Sequence, residues 1–166
     1  MTASWLTEYN NLTDLKKDFD DNALSLFALW VRFGIEDLKS VGIEAITDGP
    51  NDKKLDMIYI NSEDHFAVVS QCYFSSEIRD CAKGNKASDL NTGLVWLLQM
   101  DISKIPEQIR SATINLRNEL NDGNIQSLYV WYVHNLPESE PIKKELESVQ
   151  TSLNSILKNN YSEKKL

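Results

Sequence analysis

The sequence has very little cysteine or histidine. It contains two cysteines, Cys72 and Cys81, and two histidines, His65 and His134. Two cysteines are too few for a disulfide framework, and their separation matches none of the usual zinc-site spacings. The counts therefore predict a reduced, cytoplasmic protein.

Long apolar runs and an excess of positive charge are also missing. No stretch approaches the ~20 apolar residues that a membrane span requires, and residues 1–21 are too polar and acidic for a signal peptide. Lysine and arginine number 17 against 25 aspartates and glutamates, for a net charge of −8. This balance excludes a non-specific nucleic-acid coat and a polybasic membrane binder, so any contact with DNA must be local.

Glycine is scarce as well, with six residues in 166. The turn Asp48-Gly49-Pro50 lacks the spaced glycines and the following lysine of a phosphate-binding loop.

The length predicts a single domain over residues 1–166, which could be the N-terminal part of a longer protein.

Hydrophobic periodicity predicts helices and strands in a mixed order. Helical spacing covers 5–19, 20–39, 87–100, 106–120 and 141–157. The first of these could be a shorter helix or a loop, because two asparagines interrupt it. Strand-like runs cover 43–46, 55–60, 66–74 and 128–134. We predict an α/β (α+β) fold with a central mixed sheet of about four strands flanked by helices, in which 55–60 and 66–74 are antiparallel neighbours and 128–134 is a core strand covered on both faces.

One carboxylate stands out in this pattern. Asp56 lies inside an apolar strand, where loss of hydration costs several kcal/mol unless a cation or hydrogen-bond donors compensate. Across an antiparallel pair it could share a divalent cation, most naturally Mg²⁺, with Ser70 or Gln71. The alternative is that Asp56 bonds to the amides of the preceding turn and that Asp48 and Asp52 are turn residues.

Three segments resemble a known family: TDGPNDKKLDMIYI, AVVSQCYFS and NKASDLNTGLVWLL. Together they resemble the N-terminal region of AIPR (abortive infection phage resistance) proteins over roughly residues 23–98. The resemblance implies a PD-(D/E)XK nuclease-like fold with a restriction-endonuclease-like core, a DNA substrate and Mg²⁺. It also implies an aspartate on the second strand, an acidic residue or glutamine on the third, and a lysine two positions later.

Asp56 matches the first element of that pattern. On the third strand, one register places Ser70 and Cys72 at the acid and lysine positions, and the other places Gln71 and Tyr73 there. Neither register supplies the lysine, whose charge would orient water and offset charge on the phosphate.

A replacement lysine could come from the segment before the next helix. Lys83 and Lys86 are both candidates, and we favour Lys86. The resulting hypothesis makes Asp56 the metal ligand, Gln71 a neutral ligand or orienting group, and Asp48 or Glu44 an outer carboxylate.

Arg79 and Lys83 form a basic cluster that could contact a phosphate backbone, although Glu77 and Asp80 intervene and favour the alternative of solvated loop charges. We therefore predict a degenerate or lysine-migrated Mg²⁺-dependent nuclease-like domain of a bacterial antiphage system that acts on DNA. The alternative is a catalytically inactive module of the same fold that assembles with the remainder of a longer chain or with a second copy. The missing lysine and the net charge favour this alternative.

Overall fold

A three-stranded sheet with helices on both faces organises residues 4–161, the part of the chain that the computed structural model describes. The strands are β1 (Met57–Asn61), β2 (Phe66–Tyr73) and β3 (Ser127–His134). The helices are α1 (Ser4–Asn11), α2 (Thr13–Phe19), α3 (Ala23–Phe33), α4 (Leu38–Ala45), α5 (Gly84–Leu98), α6 (Glu107–Asn121) and α7 (Glu140–Tyr161). Short 3₁₀ turns lie at Asp20–Asn22 and Ile102–Lys104.

The sheet is mixed, with β2 in the middle. β1 and β2 are antiparallel neighbours, with Met57 opposite Ser70. β3 runs parallel to β2, with Val69 opposite Val130, and the connection between them contains α5 and α6. A parallel pair requires such a crossover, because the chain must return to the starting end of the sheet.

The sheet separates two apolar cores, because successive side chains of a strand point to opposite faces. Ala67 and Val69 of β2 pack with α5, α6 and α7. Val68 and Cys72 pack with α1, α3 and α4. β2 is buried over nearly its whole length, because its side chains pack into both cores.

The predicted α/β class and the antiparallel pairing of the two central runs are confirmed. The strand predicted at 43–46 is wrong, because α4 continues to Ala45 and Ile46 forms only an isolated bridge to Met57. Leu38, Gly42 and Ala45 are buried at helical spacing, and packing against them overrides the strand-like composition. The described residues therefore form three strands rather than four.

The prediction that 128–134 is a core strand covered on both faces is confirmed only in part. Its alternate side chains pack against the two cores on the two faces of the sheet, but they are half-buried. Within the described residues β3 pairs with β2 alone and is an edge strand. An edge strand can have the same apolar composition as a central one, so composition did not distinguish the two positions.

The predicted helices are confirmed with shifted ends. The first divides at Leu12 into α1 and α2, and the second stops at Phe33. Gly34, at φ +70°, ends α3 by donating its N–H to the Trp30 carbonyl, a left-handed cap that glycine adopts without strain.

Among the described helices, none is long and apolar enough to cross a membrane.

Helix α5 lies very close to the segment before β1. A Cβ placed on Gly93 would stand 2.5 Å from Leu55 Cδ2 and 3.2 Å from the Lys53 carbonyl oxygen. Leu55 is fully buried and directly precedes Asp56, so this approach positions Asp56 beneath α5.

We expect Gly93→Ala to lower the free energy of unfolding by roughly 1–3 kcal/mol, because the added methyl must displace Leu55 or the backbone. Gly84→Ala is the matched control in the same helix and should be nearly neutral, because no atom lies within 4 Å of the place that its added methyl would take. Urea denaturation measures both. Equal stability of the two variants would show that the contact is not tight.

Candidate metal site

The loop before β1 is closed at its base. The Thr47 hydroxyl donates to the Leu55 carbonyl at 2.7 Å, and the Thr47 N–H donates to the Asp56 carbonyl at 2.9 Å. Gln108 of α6 donates its side-chain amide to the Thr47 carbonyl. These bonds bring the two ends of the loop together, so that its aspartates face a common point.

Two consecutive lysines in this loop have left-handed backbones. Lys53 has φ +56° and Lys54 has φ +72°. Such angles are uncommon for residues with a side chain and cost of order 1 kcal/mol each or more. The Asp52 carboxylate accepts the Lys54 N–H at 2.8 Å and so helps to hold the tight turn.

Three carboxylates converge at the closed loop. One oxygen from each of Asp48, Asp52 and Asp56 lies within 4.8 Å of the other two. Asp48 is exposed, Asp52 is half-buried and Asp56 is buried. Oxygens at this separation can bind one hard divalent cation such as Mg²⁺.

Gln71 adds a fourth oxygen from the neighbouring strand. The register of β1 and β2 ends with Met57 opposite Ser70, and the Asp56 N–H donates to the Ser70 carbonyl at 2.9 Å, one residue out of that register. Gln71 follows Ser70 on β2 and lines the same pocket as Asp56. Gln71 is 2% exposed, and none of the described residues gives its Oε1 a hydrogen bond. A buried acceptor left unpaired costs roughly 1–3 kcal/mol, and a cation in the pocket would remove that cost.

Asp56 is held in place but only partly satisfied. It is 6% exposed, and its Oδ2 accepts the Cys72 N–H at 2.6 Å. No hydrogen bond to Oδ1 forms within residues 4–161. Burial raises the pKa of Asp56 to about 6. The hydrogen bond from the Cys72 N–H and the charge of Lys86 lower this pKa, and the charges of Asp48 and Asp52 raise it further.

Helix α5 forms the other wall of the site. Asn85, Lys86 and Asp89 line a pocket of about 430 Å³ together with the three aspartates and Gln71. The positive charge of Lys86 opposes the rise in the pKa of Asp56 and of Asp21, so the ammonium group lies near both carboxylates. The pocket thus combines oxygen ligands with three lysines, Lys53 and Lys54 of the loop and Lys86 of α5.

The two registers left open on the third predicted strand are now distinguished. Ser70 and Cys72 point to the opposite face, where the Ser70 hydroxyl donates to Ser25 Oγ at 3.1 Å and the Cys72 thiol to the Asp21 carbonyl at 3.2 Å. Burial raises the pKa of the Cys72 thiol to about 12. It is Gln71 that faces the pocket.

Three other predicted residues do not line the pocket. Glu44 is exposed on α4. Arg79 pairs with Glu77 at 2.7 Å, and Lys83 lies with its Nζ 5.0 Å from the centroid of the Tyr73 ring. Their roles as outer carboxylate and DNA contacts stay predictions.

Several residues of the site were not among the predicted ligands. Asp52 belongs to a run of turn-forming residues, and its sequence context indicates only a turn. Asp89 lies three residues after Lys86 on α5, a spacing that places both side chains on one face of the helix and could have indicated it. Asn22 is buried and donates its amide to Asp48 Oδ2 at 2.7 Å. No local pattern indicates Asn22, because it reaches the site only through the packing of α3.

Comparison of the chain with protein-family models, curated proteins and solved structures gave no match.

The raised pKa of Asp56 predicts a pH-dependent loss of stability. The folded protein binds a proton more tightly than the unfolded chain, so this contribution is fully present below pH 3.8 and is lost as the pH rises to about 6. Near neutral pH the buried charge therefore destabilises the metal-free protein, by roughly 3 kcal/mol.

We expect Asp56→Asn to raise the free energy of unfolding by roughly 1–3 kcal/mol at pH 7.5 in EDTA, because an amide keeps the acceptor for the Cys72 N–H without the charge. At pH 4 the difference should vanish. Asp80→Asn, which removes an exposed carboxylate, is the control and should change stability by less than about 0.5 kcal/mol. A loss of stability in Asp56→Asn at pH 7.5 would contradict the assignment.

Proposed function

We propose that this chain is a Mg²⁺-dependent phosphodiester hydrolase of the PD-(D/E)XK nuclease-like type that acts on DNA. The observation that carries the proposal is the buried, unpartnered Oε1 of Gln71 beside three convergent carboxylates. A metal site explains why both the amide oxygen and the Asp56 carboxylate are buried without full hydrogen bonding. A merely structural turn does not require either.

The residues of the pocket fit a hard cation. Asp48, Asp52 and Asp56 would supply carboxylate oxygens and Gln71 a neutral oxygen, the ligand types that Mg²⁺ takes. When bound, the ion polarises the phosphodiester and lowers the pKa of a water molecule. Asn22 would keep Asp48 oriented through its amide.

Lys86 would supply the positive charge that is absent from the strand. Tyr73 stands two positions after Gln71, where the resembled pattern has a lysine. Lys86 lines the same pocket from the first turn of α5 and acts electrostatically on Asp56. There it would stabilise negative charge that develops on the phosphate and hold the attacking water for deprotonation.

The fold supports the same proposal at a coarser level. The hairpin that carries Asp56 and Gln71 is joined through α5 to a parallel strand, with helices on both sheet faces. We assign this arrangement to a restriction-endonuclease-like core, and the role in phage defence by abortive infection follows from the resemblance to AIPR proteins. Both cysteines are free thiols, which suits the cytoplasm.

The second candidate is a catalytically inactive module of the same fold. It is favoured by Tyr73 at the lysine position and by the net charge of −8. Such a module would keep the pocket geometry without turnover, so metal binding and DNA cleavage must be measured separately.

For cleavage, we expect purified protein with Mg²⁺ or Mn²⁺ to nick plasmid DNA, and Asp56→Ala and Lys86→Met each to reduce the rate by roughly 100-fold or more. Lys104→Met, which removes an exposed lysine outside the pocket, should retain full activity. Nicking by Asp56→Ala at the wild-type rate would remove the hydrolytic mechanism. Nicking by neither protein would favour the inactive module.

For metal binding, we expect calorimetric titration with Mn²⁺ to give one site in the wild type. Gln71→Leu should weaken the affinity by roughly 10- to 100-fold, because it replaces the neutral oxygen by an apolar group of similar size. Ser70→Ala, which alters the neighbouring buried residue on the opposite sheet face, is the control. Equal affinities for wild type and Gln71→Leu would exclude the glutamine as a ligand.

A further inference from the structure

Strand β3 leaves one edge of the sheet open. In a strand, the N–H and C=O groups of alternate residues point to opposite sides, and β3 has a partner strand on one side only. Within residues 4–161 no backbone or side-chain group pairs with its outward-facing groups. Four residues, Leu128, Val130, Tyr132 and His134, therefore present free donors and acceptors along the open edge.

This edge carries none of the devices that keep a strand from pairing with another chain. Its sequence, SLYVWYVH, has no proline and no charged lysine or glutamate, and its pairing with β2 continues without a bulge from Ser127 to His134. Edges without such protection are templates for an added strand. A long open edge of this composition therefore requires a cover.

A groove lies beside the open edge. Helix α7 packs mainly against α5, and a pocket of about 640 Å³ separates it from β3. The wall formed by α7 is mixed: Ile142, Val149 and Leu153 are buried at its base, and Lys143, Glu147 and Gln150 are exposed. A strand added to β3 would therefore be held mainly by backbone pairing along the edge.

The charge distribution leaves β3 as an edge at which a second copy of the chain can pair. The chain as a whole has a net charge of −8, which opposes self-association over most of its surface. β3 contains no aspartate, glutamate, lysine or arginine. Two copies can therefore meet at β3 without placing like charges opposite each other.

The sequence of β3 also matches itself. A two-fold axis normal to the sheet keeps each side chain on the same face of the sheet in both copies. Residues that lie opposite each other in an antiparallel pair also share a face, whereas neighbouring residues of one strand do not. The axis must therefore pass through one residue and its own copy. With Val130 on the axis, Tyr129 of one copy lies opposite Trp131 of the other, and Leu128 lies opposite Tyr132. Aromatic and aliphatic pairs of this kind stabilise antiparallel strands.

We infer that two copies of this chain associate through β3, as an antiparallel pair centred on Val130 that joins the two sheets into one of six strands. The small side chain on the axis allows close approach of the two backbones. This inference is independent of the proposed function, because the seam and the metal pocket share no residue.

The oligomeric state tests the inference. Sedimentation equilibrium of the wild type should give twice the chain mass of 19.0 kDa. Val130→Lys, which places two ammonium groups together on the axis, should give a monomer with at least a 100-fold weaker association. Ile60→Lys, at a half-buried position of β1 on the other edge of the sheet, is the matched control and should remain a dimer.

Covalent trapping fixes the register and does not depend on the stability of the lysine variant. In a Cys81→Ser background, which removes the exposed native thiol, Val130→Cys should form an intermolecular disulfide under mild oxidation, because opposite α-carbons lie about 4.5–5.5 Å apart. Val133→Cys, near the end of the strand, should not. A monomeric wild type, a dimer that survives Val130→Lys, or no disulfide at position 130 would overturn the inference.

Discussion

The Asp56 carboxylate is buried beside the end of an apolar sheet, and the rest of the site depends on how that burial is compensated. Only one of its oxygens accepts a backbone N–H, and burial raises its pKa to about 6. The neighbours of Asp56 do not resolve this cost, because Asp48 and Asp52 add further negative charge. Among the charges that act on the pKa of Asp56, Lys86 of α5 is the one that favours the ionised carboxylate.

Neighbouring structure holds this unfavourable arrangement in place. Thr47 closes the base of the loop, and α5 packs so closely against Leu55 that a side chain at residue 93 would displace it. Gln71 lines the same pocket as Asp56 because it follows Ser70, which ends the β1–β2 ladder and accepts the Asp56 N–H. The same ladder sends Ser70 and Cys72 to the other face, where a buried thiol with a pKa of about 12 takes no part in the chemistry of the pocket. One sheet thus separates a polar site from an apolar core within a single strand.

The two edges of the sheet differ in how they are used. The loop that carries the three aspartates leads into β1, and the bridge between Ile46 and Met57 partly covers the outer side of that strand. Within residues 4–161 β3 has no such cover, and it carries no charge along its length. An acidic protein with an uncharged aromatic edge has one surface on which self-repulsion is weakest, and that surface lies at the opposite edge of the sheet from the three aspartates.

Local patterns in the sequence determined the helices, the antiparallel hairpin and the significance of Asp56, because hydrophobic spacing and the cost of burying a carboxylate are both properties of neighbouring residues. Tertiary packing decided the end of α4 and the edge position of β3. Residues 43–45 stay helical because α4 buries Leu38 and Ala45 on one face. The apolar composition of β3 does not indicate how many strands lie beside it. The same holds for the membership of the site. Asn22 and Gln108 form hydrogen bonds with residues that are distant in the sequence. Whether Gln71 or Ser70 faces the pocket depends on the strand register, and a shift of one residue would exchange the two faces. Only the folded sheet specifies that register.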